Sequence, residues 1–284
     1  MPDMIIDFHT HIFPERLIRD RNEYCRRDLC FSELYSSKKA KLATAEELIR
    51  EMDECGIDKA VVLNIGWENN DICIETNDYI LESQSRYPER IIGFCSVQPN
   101  AGDKAVKELE RCISGGARGI GEMRPDKQGF DLSDNPVITD MVDIMSKSNV
   151  IFLLHSSEPV GHIYDGKGMV TPDKLYSFIV KYPELKIVCA HWGGGLPFYA
   201  LMPEVDKSLT NVYFDTAATP FLYKPEIINH VSAITGAGKI LFGSDYPLMS
   251  PKRVISYIES AGIKKDDRMK ILGGNAGTLL RFGT

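Results

Sequence analysis

Short apolar and β-branched runs recur along the whole chain, each followed by a longer amphipathic or charged stretch. The runs at residues 5–9, 59–63, 91–97, 119–122, 150–154, 187–190, 212–215 and 240–242 have the length and composition of buried strands. Between them, residues 44–55, 72–87, 103–114, 136–148, 171–182, 196–207, 225–235 and 251–261 read as helices, several with proline near the first turn. The first helix carries its own punctuation. Thr44 with Glu47 three positions on makes a capping box, and Gly56 stops the helix. Strands that alternate with helices pair in parallel, because a parallel connection needs a crossover. Eight such units within 284 residues predict an α/β protein of the (β/α)8 TIM barrel type. A doubly wound sheet would have fewer strands and a glycine fingerprint after the first.

Two segments fall outside the alternation. Residues 14–42, rich in Arg, Glu, Tyr and Cys, exceed a simple strand-to-helix loop and are predicted as an insertion over the barrel mouth after strand 1. Residues 265–272 and 276–282 are predicted as two short closing helices, with Asn275 as a helix N-cap. No linker, repeat or shift in composition divides the chain, so residues 1–284 are read as one domain. The content of 43% hydrophobic and 26% charged residues is that of a soluble globular protein, and no apolar run nears the ~20 residues of a membrane helix. The N-terminus shows no basic region followed by an apolar core, and the seven cysteines have no C-x-x-C spacing. A cytoplasmic protein with reduced thiols is expected. A formal charge of −7 argues against nucleic acid as a partner, which leaves a small-molecule substrate and, for an acidic barrel, association into a homo-oligomer.

Candidate chemistry begins where strand 1 ends, in Asp7-Phe8-His9-Thr10-His11. On an extended backbone alternate residues share a face, so His9 and His11 present two imidazoles to one side, as a divalent ion requires. Barrels carry their reactive groups at the C-terminal strand ends. That rule adds Glu122, His155, His191 and Asp245, so four of the six histidines fall at strand ends. Arg124, two residues past Glu122, offers a planar guanidinium to a carboxylate, with a plain salt bridge as the alternative. His162 and Tyr164, in the glycine-containing loop at 156–168, are candidate substrate contacts. Trp67 and Trp192 are candidate walls of an apolar pocket, a role that competes with ordinary packing.

The runs Ile6-Asp7-Phe8-His9-Thr10-His11, Ala190-His191-Trp192-Gly193-Gly194 and Phe242-Gly243-Ser244-Asp245-Tyr246-Pro247 together resemble the amidohydrolase superfamily, in its amidohydrolase-related branch, over essentially the whole chain. The resemblance implies a metal-dependent barrel with His9, His11, His155 and Asp245 as ligands and His191 as a ligand or a catalytic group. Two-metal members often carry a bridging lysine carbamate at the end of strand 4, where this chain has Glu122. A carboxylate also bridges, so Glu122 reads as a ligand, a bridge or a partner of Arg124 or a ligand histidine, and one ion is favoured over two. Zinc is the expected ion, because it lowers the pKa of bound water to about 7. Asp245 would then accept the water's proton, and His191 would polarise the electrophile or protonate the leaving group. The main expectation is hydrolysis of an amide, lactone or ester-like bond in a small, carboxylate-bearing substrate. Non-oxidative decarboxylation of an unsaturated or aromatic acid is the first alternative, and a non-catalytic metal-binding barrel the second. The compact chain, without the larger loop insertions of decarboxylases in this branch, favours hydrolysis by analogy.

Overall fold

A computed structural model describes residues 4–132 and 134–281. Eight strands follow one another in chain order, each parallel to its neighbours: β1 Ile6–Thr10, β2 Lys59–Leu63, β3 Ile91–Cys95, β4 Gly119–Met123, β5 Ile151–Leu154, β6 Ile187–Cys189, β7 Val212–Asp215 and β8 Ile240–Leu241. The end of β8 returns to β1, where Phe8 N–H donates to Phe242 O at 2.7 Å and Thr10 bridges Tyr246. The protein is a (β/α)8 barrel in a single domain.

Alternating side chains divide the packing into two layers. Phe8, Val61, Leu63, Phe94, Leu153 and Leu241 fill the barrel. Ala60, Val62, Ile120, Phe152, Ile187 and Phe214 face the helices outside it. Each fully buried side chain of this size contributes about 1.5–3 kcal/mol, so the interior commits the strand register strongly. The predicted capping box is present: Glu47 N–H donates to Thr44 Oγ1 at 3.3 Å, Thr44 N–H donates to Glu47 Oε2 at 2.8 Å, and the helix Ala45–Cys55 stops at Gly56, where φ is 68°.

The insertion after β1 folds as three short helices, Glu15–Arg19, Arg21–Arg27 and Leu29–Tyr35, with a small core of Phe13, Leu17, Tyr24 and Phe31. Asp28 pins it down, accepting from Phe31 N–H at 2.8 Å and, across to the β2 loop, from Asn69 N–H at 2.9 Å.

Two helix expectations need correction. The helix predicted over 196–207 is split into Leu196–Leu201 and Pro203–Ser208, because Pro203 lacks an N–H and pushes Met202 to an extended φ of −90° and ψ of 120°. The tail winds continuously through Lys265–Met269, Lys270–Gly274 and Asn275–Leu280; Phe282, the predicted end of the last helix, lies outside the described residues. Asn275 does not cap. It sits inside the helical run and donates from Nδ2 to Ala237 O and Ile240 O, both at 2.7 Å, tying the tail to β8. All seven cysteines are free. Among the described residues no helix is long and apolar enough to cross a membrane.

Candidate metal centre

The strand-end residues reach the lumen through local departures from regular strand. Pairing of β1 with β2 shifts between Asp7 and Thr10, and pairing of β4 with β5 shifts between Ile120 and Met123, where Glu122 turns its carboxylate inward. After β6 and β8 the chain turns left-handed at His191, with φ 52°, and at Asp245, with φ 68°. Asp245 N–H donates to His9 O at 2.8 Å, which locks the last strand end against the first. Gly243 makes this approach feasible, since a Cβ there would stand 2.8 Å from that of His9.

Hydrogen bonds on the far side of the His9, His11 and His191 rings set which nitrogen faces the lumen. His11 Nδ1 lies 3.1 Å from Leu63 O and His191 Nδ1 lies 3.2 Å from Ala217 O. A carbonyl only accepts, so both rings carry a proton on Nδ1 and turn Nε2 inward. His9 Nδ1 donates likewise to Asp215 Oδ2 at 2.9 Å, and its Nε2 stands 3.1 Å from His11 Nε2. Two bare lone pairs at that separation repel unless a proton or a metal ion lies between them. Burial opposes charge on His9, yet Asp215 and Glu122 outweigh it and push its pKa up to about 9; Glu122 and Asp245 likewise raise His191 to about 10 against burial.

Glu122 is the hub. Its Oε1 lies 2.8 Å from His155 Nδ1 and 3.2 Å from His191 Nε2, and its Oε2 lies 3.7 Å from His9 Nε2 and 3.9 Å from His11 Nε2. Burial alone would raise its pKa, but the charges of His155 and His9 hold it well below the usual carboxylate range. Asp245 Oδ1 lies 3.5 Å from His11 Nε2 and 3.7 Å from His9 Nε2; burial is again outweighed, by His11, His9 and His191, and its pKa falls to about 2. Three overlapping sets of donors result, His9 with His11 and Glu122, His9 with His191 and Asp245, and Glu122 with His155 and His191, each with its atoms within 4.8 Å of one another. His155 therefore groups with Glu122 and His191 rather than with His9 and His11. Burial and the nearby Arg124 charge lower its pKa.

The six donors converge, and five of them, His11, Glu122, His155, His191 and Asp245, line a cavity of about 370 Å³. Arg124, His162 and Tyr164 line it too. Trp67 and Trp192 do not. Trp67 is fully buried, stacked on Phe31, with Nε1 donating to Asn64 Oδ1 at 2.6 Å; Trp192 is buried with Nε1 donating to Thr219 Oγ1 at 2.8 Å. Both are packing residues here. Asp215, which the sequence reading placed at the end of strand 7 without a role, orients His9 and accepts from the backbone N–H of His191 at 2.9 Å. Its signal was present, an acid at a strand end. Leu34 and Tyr35 of the insertion also line the cavity, which confirms that the insertion overlies the mouth.

A parallel barrel with four histidines and two carboxylates at its strand ends, opening on a cavity at its mouth, is the build of a metal-dependent barrel enzyme. A family model described as Amidohydrolase matches residues 6–282, and the chain belongs to that family. It is 25% identical to γ-resorcylate decarboxylase of Polaromonas sp. (strain JS666 / ATCC BAA-500), over 82% of this chain and 86% of that protein. Among solved structures it is similar to 5-carboxyvanillate decarboxylase from Sphingomonas paucimobilis, with TM-score 0.79, 16% identity and 99% of each chain covered. It is also similar to dihydroxybenzoic acid decarboxylase from Polaromonas sp. JS666 with bound manganese and the inhibitor 2-nitroresorcinol, with TM-score 0.72, 21% identity and 98% and 97% of the two chains covered. The expectation of hydrolysis is overturned by these comparisons, since the relatives are decarboxylases. Compactness misled because loop size is a property of the scaffold and says nothing about the chemistry at the strand ends. The chain is an enzyme of the amidohydrolase superfamily with a site for a divalent metal.

Proposed function

We propose that this protein is a divalent-metal-dependent decarboxylase that removes CO2, without oxidation, from a small aromatic or unsaturated carboxylic acid. The observation that carries the reading is the similarity to γ-resorcylate decarboxylase across 82% of the chain, in a protein whose strand ends keep a full donor set. His9, His11, Glu122 and Asp245 would hold the ion, with His155 and His191 beside it. One ion suffices in this reading, because the donor sets overlap in pairs, each pair sharing one of His9, Glu122 and His191. The donors are nitrogen and oxygen without thiolate, which suits manganese as well as zinc, and manganese is the ion bound in the dihydroxybenzoic acid decarboxylase. When bound, the ion supplies a Lewis-acid anchor for substrate oxygens.

The chain's own groups do the rest. As the carbon–carbon bond to the carboxylate breaks, the electron pair stays on the substrate carbon, which takes a proton, and neutral CO2 leaves. His191 lines the cavity with Nε2 facing in, and it is the proton donor in this reading. Ile65, Ala218, Leu222 and Leu248 provide apolar walls, which disfavour the charged carboxylate relative to CO2. His162 and Tyr164 close the substrate in. The test is CO2 release from a panel of hydroxybenzoates and unsaturated acids. Turnover should vanish on chelation and return with manganese; turnover indifferent to chelation refutes the proposal.

A further inference from the structure

Arg124 follows β4 directly and is 1% exposed. Its Nη2 donates to Gly166 O at 3.0 Å, while Glu33 Oε1 and Asp126 Oδ2 stand at 3.8 and 3.9 Å, outside hydrogen-bond reach. Nε and Nη1 are buried and have no partner among the described residues. A guanidinium stays charged in any protein and carries its donors in a fixed plane, so burying two of its nitrogens unpaired is costly. The neighbouring acids are already engaged. Glu33 accepts from Gly166 N–H at 3.1 Å and pairs with Lys127, and Asp126 Oδ2 accepts from Met169 N–H at 3.0 Å. Arg124 therefore has two long ion pairs but no anion bonded to its Nε and Nη1.

Its position says which anion. A Cβ on Gly168 would lie 2.8 Å from Arg124 Nη2 and 3.3 Å from His155 Cδ2, so that backbone is wedged between the two side chains. Arg124 thus stands beyond His155, whereas His9, His11 and Asp245 form the opposite pole of the donor cluster. The carbonyl of Gly166, held at φ 90°, occupies the place of an acid oxygen on Nη2. A buried guanidinium bonded to the departing carboxylate would stabilise the anion and raise the barrier to neutral CO2. Its charge is useful on a group that stays charged throughout.

We propose that Arg124 binds a second carboxylate of the substrate, one retained in the product, so that the substrate is an aromatic or unsaturated dicarboxylic acid. This rests on the decarboxylase reading: one acid group is lost as CO2 at the donor cluster, and the other anchors the molecule on Arg124.

The test is calorimetric binding to manganese-loaded protein, comparing benzoate with isophthalate and acrylate with fumarate. Wild type should bind each diacid at least tenfold more tightly than its monoacid. Arg124→Gln should abolish that preference at unchanged metal content, and Arg124→Lys, which keeps the charge but not the planar fork, should retain part of it. A wild type without diacid preference overturns the proposal with no variant needed. So does an Arg124→Gln that weakens mono- and diacids equally, which would place the departing carboxylate on Arg124. Binding is read without turnover, so diacid preference with no CO2 from any acid would remove the decarboxylase reading alone.

Discussion

Replacing Asp215 by asparagine should weaken the metal site without replacing any of its ligands. Asp215 is fully buried, and its two oxygens are divided: Oδ1 accepts from His191 N–H at 2.9 Å and Ala217 N–H at 3.0 Å, while Oδ2 accepts from His9 Nδ1 at 2.9 Å. An asparagine has one acceptor oxygen, and the two backbone donors will claim it. The amide NH2 then faces His9 Nδ1 and forces that nitrogen to accept, which moves the ring proton to Nε2, 3.1 Å from His11 Nε2 and in the path of the ion. Losing an outer-shell partner of a ligand histidine costs roughly 10- to 100-fold in metal affinity, or about 1.4–2.7 kcal/mol. Titration of metal-free wild type and Asp215→Asn with manganese, followed calorimetrically, measures the difference, and a thermal melt of both metal-free proteins checks the fold. An unchanged affinity would refute the claim that Asp215 sets the tautomer of His9.

Metal affinity should rise with pH up to about 9. Asp215 and Glu122 raise the pKa of the ligand His9 to about 9, and a ligand imidazole must be neutral, so binding at neutral pH expels protons that are already gone at higher pH. Calorimetry in two buffers of different ionisation enthalpy counts them; zero proton release at pH 7 contradicts the scheme. Asp245→Asn should abolish CO2 release while leaving the melting temperature of the metal-free protein within a few degrees of wild type; wild-type-like turnover would remove Asp245 from the reaction. Asn275→Ala should cost about 2–3 kcal/mol, since two buried carbonyls lose their donor, and should lower the melting temperature by several degrees with manganese affinity unchanged.

The barrel was readable because its two signals are local and redundant. Each strand is a short apolar run, each crossover an amphipathic one, and eight repetitions leave little room for another topology. The donor cluster was readable for a related reason. The strand-end rule converts sequence position into spatial position, so it gathers His9, His11, Glu122, His155, His191 and Asp245 from across the chain. Where the reading failed, a tertiary partner overrode a local cue. Asn275 has the look of a cap, but the carbonyls of Ala237 and Ile240 are closer claimants for its amide. Pro203 was visible inside its predicted helix and should have divided it.

Sequence adjacency to a ligand says little about which way a side chain points, and the tryptophans show why. Trp192 follows His191 directly, yet both residues lie in a left-handed turn, with φ 52° and 59°, that sends the imidazole into the lumen and the indole to Thr219. Asp215 is the converse case. It neighbours no histidine in sequence, and only barrel closure brings the end of β7 to within 2.9 Å of His9 Nδ1. His11 and His191 carry such a dependence too, since His11 leans on Leu63 O and His191 on Ala217 O. The ligands announce themselves by residue type, but backbone carbonyls that fix their tautomers carry no side-chain signature at all. The choice of which nitrogen faces the ion is therefore a property of the folded barrel, and it is the part of this site that only a structure supplies.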